Sequence, residues 1–454
     1  MQQIGPDRSQ QFARMRDVAR EIFASALKNA SIESAFARNV QCDRRILRIV
    51  NDLHDLDSYL RVFVVSIGKA AHTMASALQA QVGGKLEGIV ASSVEPASQL
   101  HGFRYFCGGH PTPNAESIRA AEAILHSLSA LRQNALVIFM LSGGGSSLVE
   151  KPADSEISLP DLIATYRALV HSGAPIAEIN AIRKHLSAVK GGRLAQAAYP
   201  AQQVSILVSD VPDQTPDALA SGPTMPDSTT IADCERIAAK YGLIDQFPTS
   251  VADLFRHHAL EETPKSEDPA FVGARWWTVL SNQVAIEEAA AAATRAGFAV
   301  QVDNSCDDWP YDEAATYLVG HLRALRKSVS RVCLISGGEV TVTVRNGGVG
   351  GRNQQFALAC AEAIAGQDIT VLSAGTDGID GNSPAAGAVV DGSTLSRTIA
   401  LEADPGLRDC RDAGRIRHAL STFDAYPLLD ALGDAVMTGP TGNNLRDLRI
   451  LLAY

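Results

Sequence analysis

The sequence predicts an α/β protein of two domains, a Rossmann-like N-terminal domain with a largely parallel sheet and a C-terminal α/β domain with a mixed sheet. Two observations carry this. Short, wholly apolar β-rich runs alternate with helix-like patterns, which is how strands covered on both faces read. Each run ends in a tip rich in Gly, Ser or Asp. At 454 residues the chain is also long for one core, so two domains are expected.

Taken in order, "RVFVVSI" leads into Gly68-Lys69-Ala70 and a helix with Ala71, Met74, Ala75 and Leu78 on one face. "ALVIFM" leads into "LSGGGSSL", and "VSILVS" into "DVPDQTPDALASGPT". The polar stretch 255–275, broken by Pro264 and Pro269, is expected to hold the domain boundary, giving domains at 1–262 and 270–454. Beyond it, "EEAAAAATRAGFAV" reads as a helix closed by a glycine and followed by a strand. "RVCLIS" then leads into "GGEV", and "ITVLSA" into "GTDGIDG". In parallel sheets ligands gather at the carboxyl ends of strands, where these tips fall.

Bulk properties exclude several classes. The net charge of -10 argues against nucleic-acid or anionic-membrane partners, which need a basic face. Seven scattered cysteines contain no CxxC pair, so neither zinc nor a disulfide framework is indicated; Cys333 and Cys360 read as core. No apolar leader or membrane-length run is present, so a cytoplasmic location is expected.

The tips support phosphate chemistry without matching the common signatures. A Walker A loop fails because Phe63 stands where its first glycine belongs, and Lys69 is followed by Ala70. The dinucleotide fingerprint fails at Leu148, and neither Ser146 nor Ser147 sits in G-x-S-x-G. A loop of small residues can still present bare amides to an anion, with the following helix dipole in support, or can be a plain tight turn. Ser142, Gly143, Gly144, Gly145, Ser146 and Ser147 are therefore candidate nucleotide or phosphate ligands. So are Gly350, Gly351 and Asn353 in "RNGGVGGRNQQ", where Arg352 offers a planar cation; the alternative is a glycine-rich hairpin with a solvated arginine. Lys69 would hold an ammonium near any phosphate at the same edge. Asp210, Asp377, Asp380 and Glu339 also fall at strand ends, and Mg²⁺ in phosphoryl transfer takes one or two such carboxylates. His110 in "GGHPTP" and His185 receive no role.

The motifs "SIGKAA", "GGHPTPNAES", "LSGGGSSLVEKP", "INAIRKHLSAVKGGRLA", "SGGEVTVTVRNGGVGGRNQQFALA" and "TGPTGNNLRDLRILL" together resemble the glycerate 2-kinase family, in order and over nearly the whole chain. That family joins a glycerate-kinase domain to a C-terminal MOFRL domain, and its members are often labelled hydroxypyruvate reductase. The resemblance implies ATP- and Mg²⁺-dependent phosphorylation of D-glycerate to 2-phosphoglycerate in an interdomain cleft, with Lys69 and Arg352 as the catalytic lysine and arginine. It leaves Asp210, Asp377 and Glu339 as metal candidates and allows a homodimer. Gln214, Thr215 and Pro384 depart from the family pattern at positions where carboxylates are usual, shifting any metal burden onto Asp210 and Asp377. The alternatives are an NAD(P)H-dependent hydroxypyruvate reductase and a non-catalytic nucleotide-binding regulator.

Overall fold

A computed structural model describes residues 6–83, 86–344, 347–402 and 414–454. The chain divides into two compact units, one spanning Ile32–Leu280 and the other Met1–Ser31 together with Ser281–Tyr454. Arg345, Asn346 and Cys410 lie outside the described residues.

The Ile32–Leu280 unit opens with an antiparallel meander of β1 (Val40–Asp43), β2 (Ile46–Ile49) and β3 (Asp52–Asp55). A six-stranded sheet follows: β4 (Arg61–Ile67), β5 (Glu87–Ser92), β6 (Phe103–Cys107), β7 (Ala135–Ser142), β8 (Gln202–Val208) and β9 (Arg275–Leu280). Its order is β6-β5-β4-β7-β8-β9, and every pairing is parallel. All eight positions of β7 are buried, as its unbroken apolar run requires. Burying each large side chain there, such as Phe139, is worth about 1.5–3 kcal/mol. The chain runs outward from β4 to β6, returns to β7 and continues to β9. The order therefore reverses between β4 and β7, and a crevice opens at the carboxyl ends of strands where such a reversal occurs.

The helix after β4, Ala71–Val82, buries Ala71, Met74, Ala75 and Leu78, the expected face, and stops at Gly83 with φ +65°. Four further helices, Leu159–His171, Ile176–His185, Ile231–Lys240 and Thr249–Arg256, close over their own apolar cluster, with Leu162, Ile182, Ile237 and Val251 at its centre.

The other unit carries a mixed sheet of β10 (Ala299–Val302), β11 (Val332–Gly338), β12 (Ile369–Gly375), β13 (Gly387–Asp391), β14 (Ala435–Val436) and β15 (Asp447–Ala453). The order is β10-β11-β15-β12-β13-β14; β10 and β11 are parallel and the remaining pairs antiparallel. The last strand, β15, is central and wholly buried. Cys333 and Cys360 are core residues, as expected.

The compact units differ from the expected bounds at two places. The helix Pro6–Asn29 packs Met15, Ala19, Ile22 and Phe23 into the cluster that holds Ile286, Leu372 and Leu452, so it belongs with the C-terminal sheet. The stretch 255–275 belongs to the first unit, because Ala270 and Phe271 are buried and β9 extends the parallel sheet. Glu262, within that stretch, accepts from His185 Nε2 (2.8 Å) and the Ile231 amide (3.2 Å). Polarity marked this segment as exposed chain; its charged groups are instead spent on fixed partners.

Candidate active site

Lys69 directly follows β4, and the Gly143-Gly144 pair directly follows β7, so the two loops flank the point where strand order reverses. They are stitched together. The Lys69 amide donates to the Gly143 carbonyl (2.9 Å), and the Ala70 amide donates to Ser142 Oγ (3.1 Å). Glycine is required here for close approach: a Cβ on Gly143 would collide with the Asp210 carboxylate at the tip of β8. Gly144 takes φ +81°, and a Cβ on it would lie 3.2 Å from Lys69 Cγ and 3.3 Å from His110 Nδ1. The structure thus gathers Lys69, Ser142–Ser147 and Asp210, and adds His110, which sequence reasoning left without a role.

The Lys69 side chain is exposed, and among the described residues no acidic group pairs with its ammonium. The helix behind the glycines, Gly145–Leu148, is only four residues long, so the expected helix-dipole support reduces to that of a single turn. Ser146 Oγ meets Ser221 Oγ at 2.9 Å. Ser221 and its neighbour Ala220 both hold left-handed backbone, with φ +60° and +53°, a cost non-glycine residues bear where the surroundings fix them. Behind the loop, the buried Glu150 accepts from Tyr166 Oη (2.6 Å), Ser187 Oγ (2.6 Å) and Lys190 Nζ, which anchors the chain as it leaves. His185 is structural, set between Glu262 and Cys234.

The remaining sequence candidates gather in the other unit. Arg352 begins the helix Arg352–Ala363; its Nε and Nη2 donate to the two oxygens of Asp447 (2.6 and 3.0 Å), and Nη2 lies 2.8 Å from Glu339 Oε1. The guanidinium is half-buried, and although burial opposes its charge, Asp447 and Glu339 hold it still more firmly protonated than usual. Burial, then the negative Asp447, push the Glu339 carboxyl above its ordinary range, against the pull of Arg352. Beside them Arg446 makes a two-pronged pair with Asp307 (2.6 and 2.8 Å).

Three expectations change here. Asn353 is buried and turned inward: its amide and Nδ2 donate to Asp380, and its Oδ1 accepts from Ser373 Oγ (2.6 Å). These bonds give it a part in fixing the helix start. Gly350 and Gly351 are buried as well. The Gly350 amide donates to Asn382 Oδ1 (2.9 Å), and a Cβ on Gly351 would collide with Asp380, so these glycines serve packing. The helix N-terminus is capped by Asp380, which also takes the Gln354 amide (2.9 Å). Burial pushes the Asp380 carboxyl up to about 6, even as those amides pull it down. Glu339, expected as a metal ligand, pairs with Arg352 through Oε1.

Metal-binding capacity rests on hard oxygens. Asp377 Oδ1 and Asp447 Oδ1 both face Gly375, lying 3.1 and 3.5 Å from where its Cβ would stand, and Asp210 faces Gly143 in the other unit. Among the described residues no three metal-ligating side chains gather into one cage. One or two carboxylates suit Mg²⁺ that arrives with a polyphosphate, and Asp210 and Asp377 offer such oxygens, whereas both oxygens of Asp447 already accept from Arg352. Asp447 lies within the motif "TGPTGNNLRDLRILL" but received no role from it; it sits at the first position of a strand whose other residues are almost all apolar. A charge there was the available signal.

Comparison with known proteins adds two family matches. The profile described as "Domain of unknown function (DUF4147)" matches residues 18–256, and that of the MOFRL family matches residues 332–447. The chain is similar to a D-glycerate 2-kinase of Thermotoga maritima, 36% identical over 398 residues, covering 86% of this chain and 90% of that protein. It is 37% identical over 445 residues to an Agrobacterium vitis protein provisionally named a hydroxypyruvate reductase, covering 96% and 94%. Its fold matches the crystal structure of a glycerate kinase from Thermotoga maritima with a TM-score of 0.83 at 33% identity, covering 97% of this chain and all of that one. Among the described residues no helix is long and apolar enough to cross a membrane.

Proposed function

Because the chain belongs to the glycerate 2-kinase family, we propose that it transfers the γ-phosphoryl group of ATP to D-glycerate and releases 2-phosphoglycerate. Phosphorylation of glycerate follows from the family; ATP as donor, Mg²⁺ as companion ion and the residue roles are our reading. The observation that carries it is the Lys69 side chain, without an acidic partner among the described residues, whose stem lies against the Gly143-Gly144 loop at the strand-order reversal.

Phosphoryl transfer asks little covalent chemistry of the protein and much electrostatic positioning. Lys69 would meet the charge that develops on the transferring group. The amides and hydroxyls of Ser142–Ser147 would bind phosphate oxygens as donors, with no serine acting as nucleophile. Arg352, oriented by Asp447 and Glu339, would supply a second fixed cation for a phosphate or for the glycerate carboxylate. Asp210 and Asp377 would hold Mg²⁺, which when bound neutralises charge on the nucleotide phosphates. The reductase name given to one relative finds no support in the loop after β7, where Leu148 replaces the third glycine of a dinucleotide fingerprint. Mixing the protein with ATP, Mg²⁺ and D-glycerate should yield equal amounts of ADP and 2-phosphoglycerate. Stoichiometric NADH oxidation with hydroxypyruvate and no ADP would reject the reading.

A further inference from the structure

His110 stands in "GGHPTP", a motif that the phosphate-binding reading does not use. Its ring lies beside Gly144 together with the Lys69 stem, at the edge where β4 and β7 end. One ring nitrogen is occupied: Nδ1 is 3.1 Å from Ser147 Oγ. The serine in turn donates its hydroxyl proton to the Gly144 carbonyl (3.3 Å). In the arrangement in which that hydroxyl proton stays on the Gly144 carbonyl, Ser147 accepts from the ring and Nδ1 carries the hydrogen, which leaves Nε2 with a free lone pair. Among the described residues Nε2 has no partner. A histidine oriented through one nitrogen by a second group, with the other nitrogen bare, has the arrangement of a general base.

We propose that His110 is the catalytic base that takes the proton from the glycerate 2-hydroxyl as the phosphoryl group is transferred. The inference rests on the activity proposed above. In the step the hydroxyl O–H bond breaks and its proton passes to Nε2, while the oxygen forms a bond to the γ-phosphorus. The bond from that phosphorus to the bridging oxygen breaks, and its electron pair leaves with ADP. The proton is released to water before the next turnover. Among the described residues Lys69 is the charged group that acts on the ring, and partial burial followed by this neighbouring ammonium pushes the imidazole below its ordinary value of 6.5. The ring is therefore neutral, and able to accept a proton, throughout the neutral range.

The test compares pH profiles of wild type and His110→Gln with ATP, Mg²⁺ and D-glycerate. Wild type should show an acid limb in kcat/KM lying below pH 6.5, with activity falling as the imidazole protonates. His110→Gln should lose roughly 10²–10⁴-fold in kcat and lose that limb. His110→Ala should recover turnover when free imidazole is added. An active wild type whose His110→Gln variant keeps either its rate or its acid limb overturns the base while leaving the kinase reading intact. A wild type that forms no 2-phosphoglycerate overturns both. A readout independent of activity is the NMR titration of the His110 ring, which should move to higher pH in Lys69→Met because a neighbouring cation is gone. An unmoved titration would contradict the placement of the two side chains on which the proposal stands.

Discussion

Arg352 grips both oxygens of Asp447 while Glu339 holds its Nη2 from another strand tip, so this cation is fixed on two sides before any ligand arrives. Among the described residues Lys69 has no such partner, and it stands exposed. The contrast separates the consequences of removing each.

Arg352→Ala should cost both turnover and stability. Losing one preorganised electrostatic contact typically lowers the rate roughly 10²–10³-fold. It also leaves Asp447, only 1% exposed, as a buried carboxylate without its main partner, a loss of about 1–3 kcal/mol. Chemical denaturation alongside steady-state kinetics would show the two effects together. Arg352→Lys should recover only part of the rate, because an ammonium cannot make the two-pronged contact.

Lys69→Met should lower turnover by a similar factor of about 10²–10³ with thermal stability unchanged. Near-normal kcat/KM in a folded Lys69→Met protein would remove the lysine from the site.

Asn353→Ala distinguishes a structural from a nucleotide-binding asparagine. Its side chain donates to Asp380 and accepts from Ser373, so the substitution should destabilise by about 1–3 kcal/mol through unsatisfied buried groups, while the backbone amide keeps its bond to Asp380. The KM for ATP should hardly move. A large rise in that KM without loss of stability would restore the nucleotide role.

Glu262 provides a pH test within the stretch that polarity suggests is a linker. Burial pushes its carboxyl up, but Lys265, His185 and the amides of Ile231 and Thr263 outweigh burial and hold it at about 2. A carboxylate with a depressed folded value stabilises above its unfolded value of 4.5, and that contribution disappears as the pH falls toward 2. With its side chain 41% exposed, solvent screening limits the effect to about 1 kcal/mol or less. Urea unfolding of wild type and Glu262→Gln should therefore differ at pH 7 and converge as the pH approaches 2. A difference that stays constant with pH would show that the carboxylate's charge is not what matters.

The sequence by itself determined the elements and their chemistry. Unbroken apolar runs place β4, β7, β8, β11 and β12, because a strand buried on both faces has no choice of side-chain polarity. Small residues at their ends marked Lys69 and the Gly143 loop, since only glycine tolerates the left-handed turn at Gly144 and the approach of Asp210 to Gly143. Tertiary structure alone decided which neighbour each tip receives. The loop after β6, the outermost strand, reaches back to the Gly144 turn and so sets His110 beside Lys69, although 41 residues separate them in the chain. The pairing of β15 with β11 and β12 delivers Asp447 to Arg352, 95 residues away, and the packing of Pro6–Asn29 sends the first helix to the last sheet. Local sequence carries propensity and pattern. Strand order and long-range charge pairing instead depend on which distant surfaces bury one another most completely, a comparison that exists only in the folded chain.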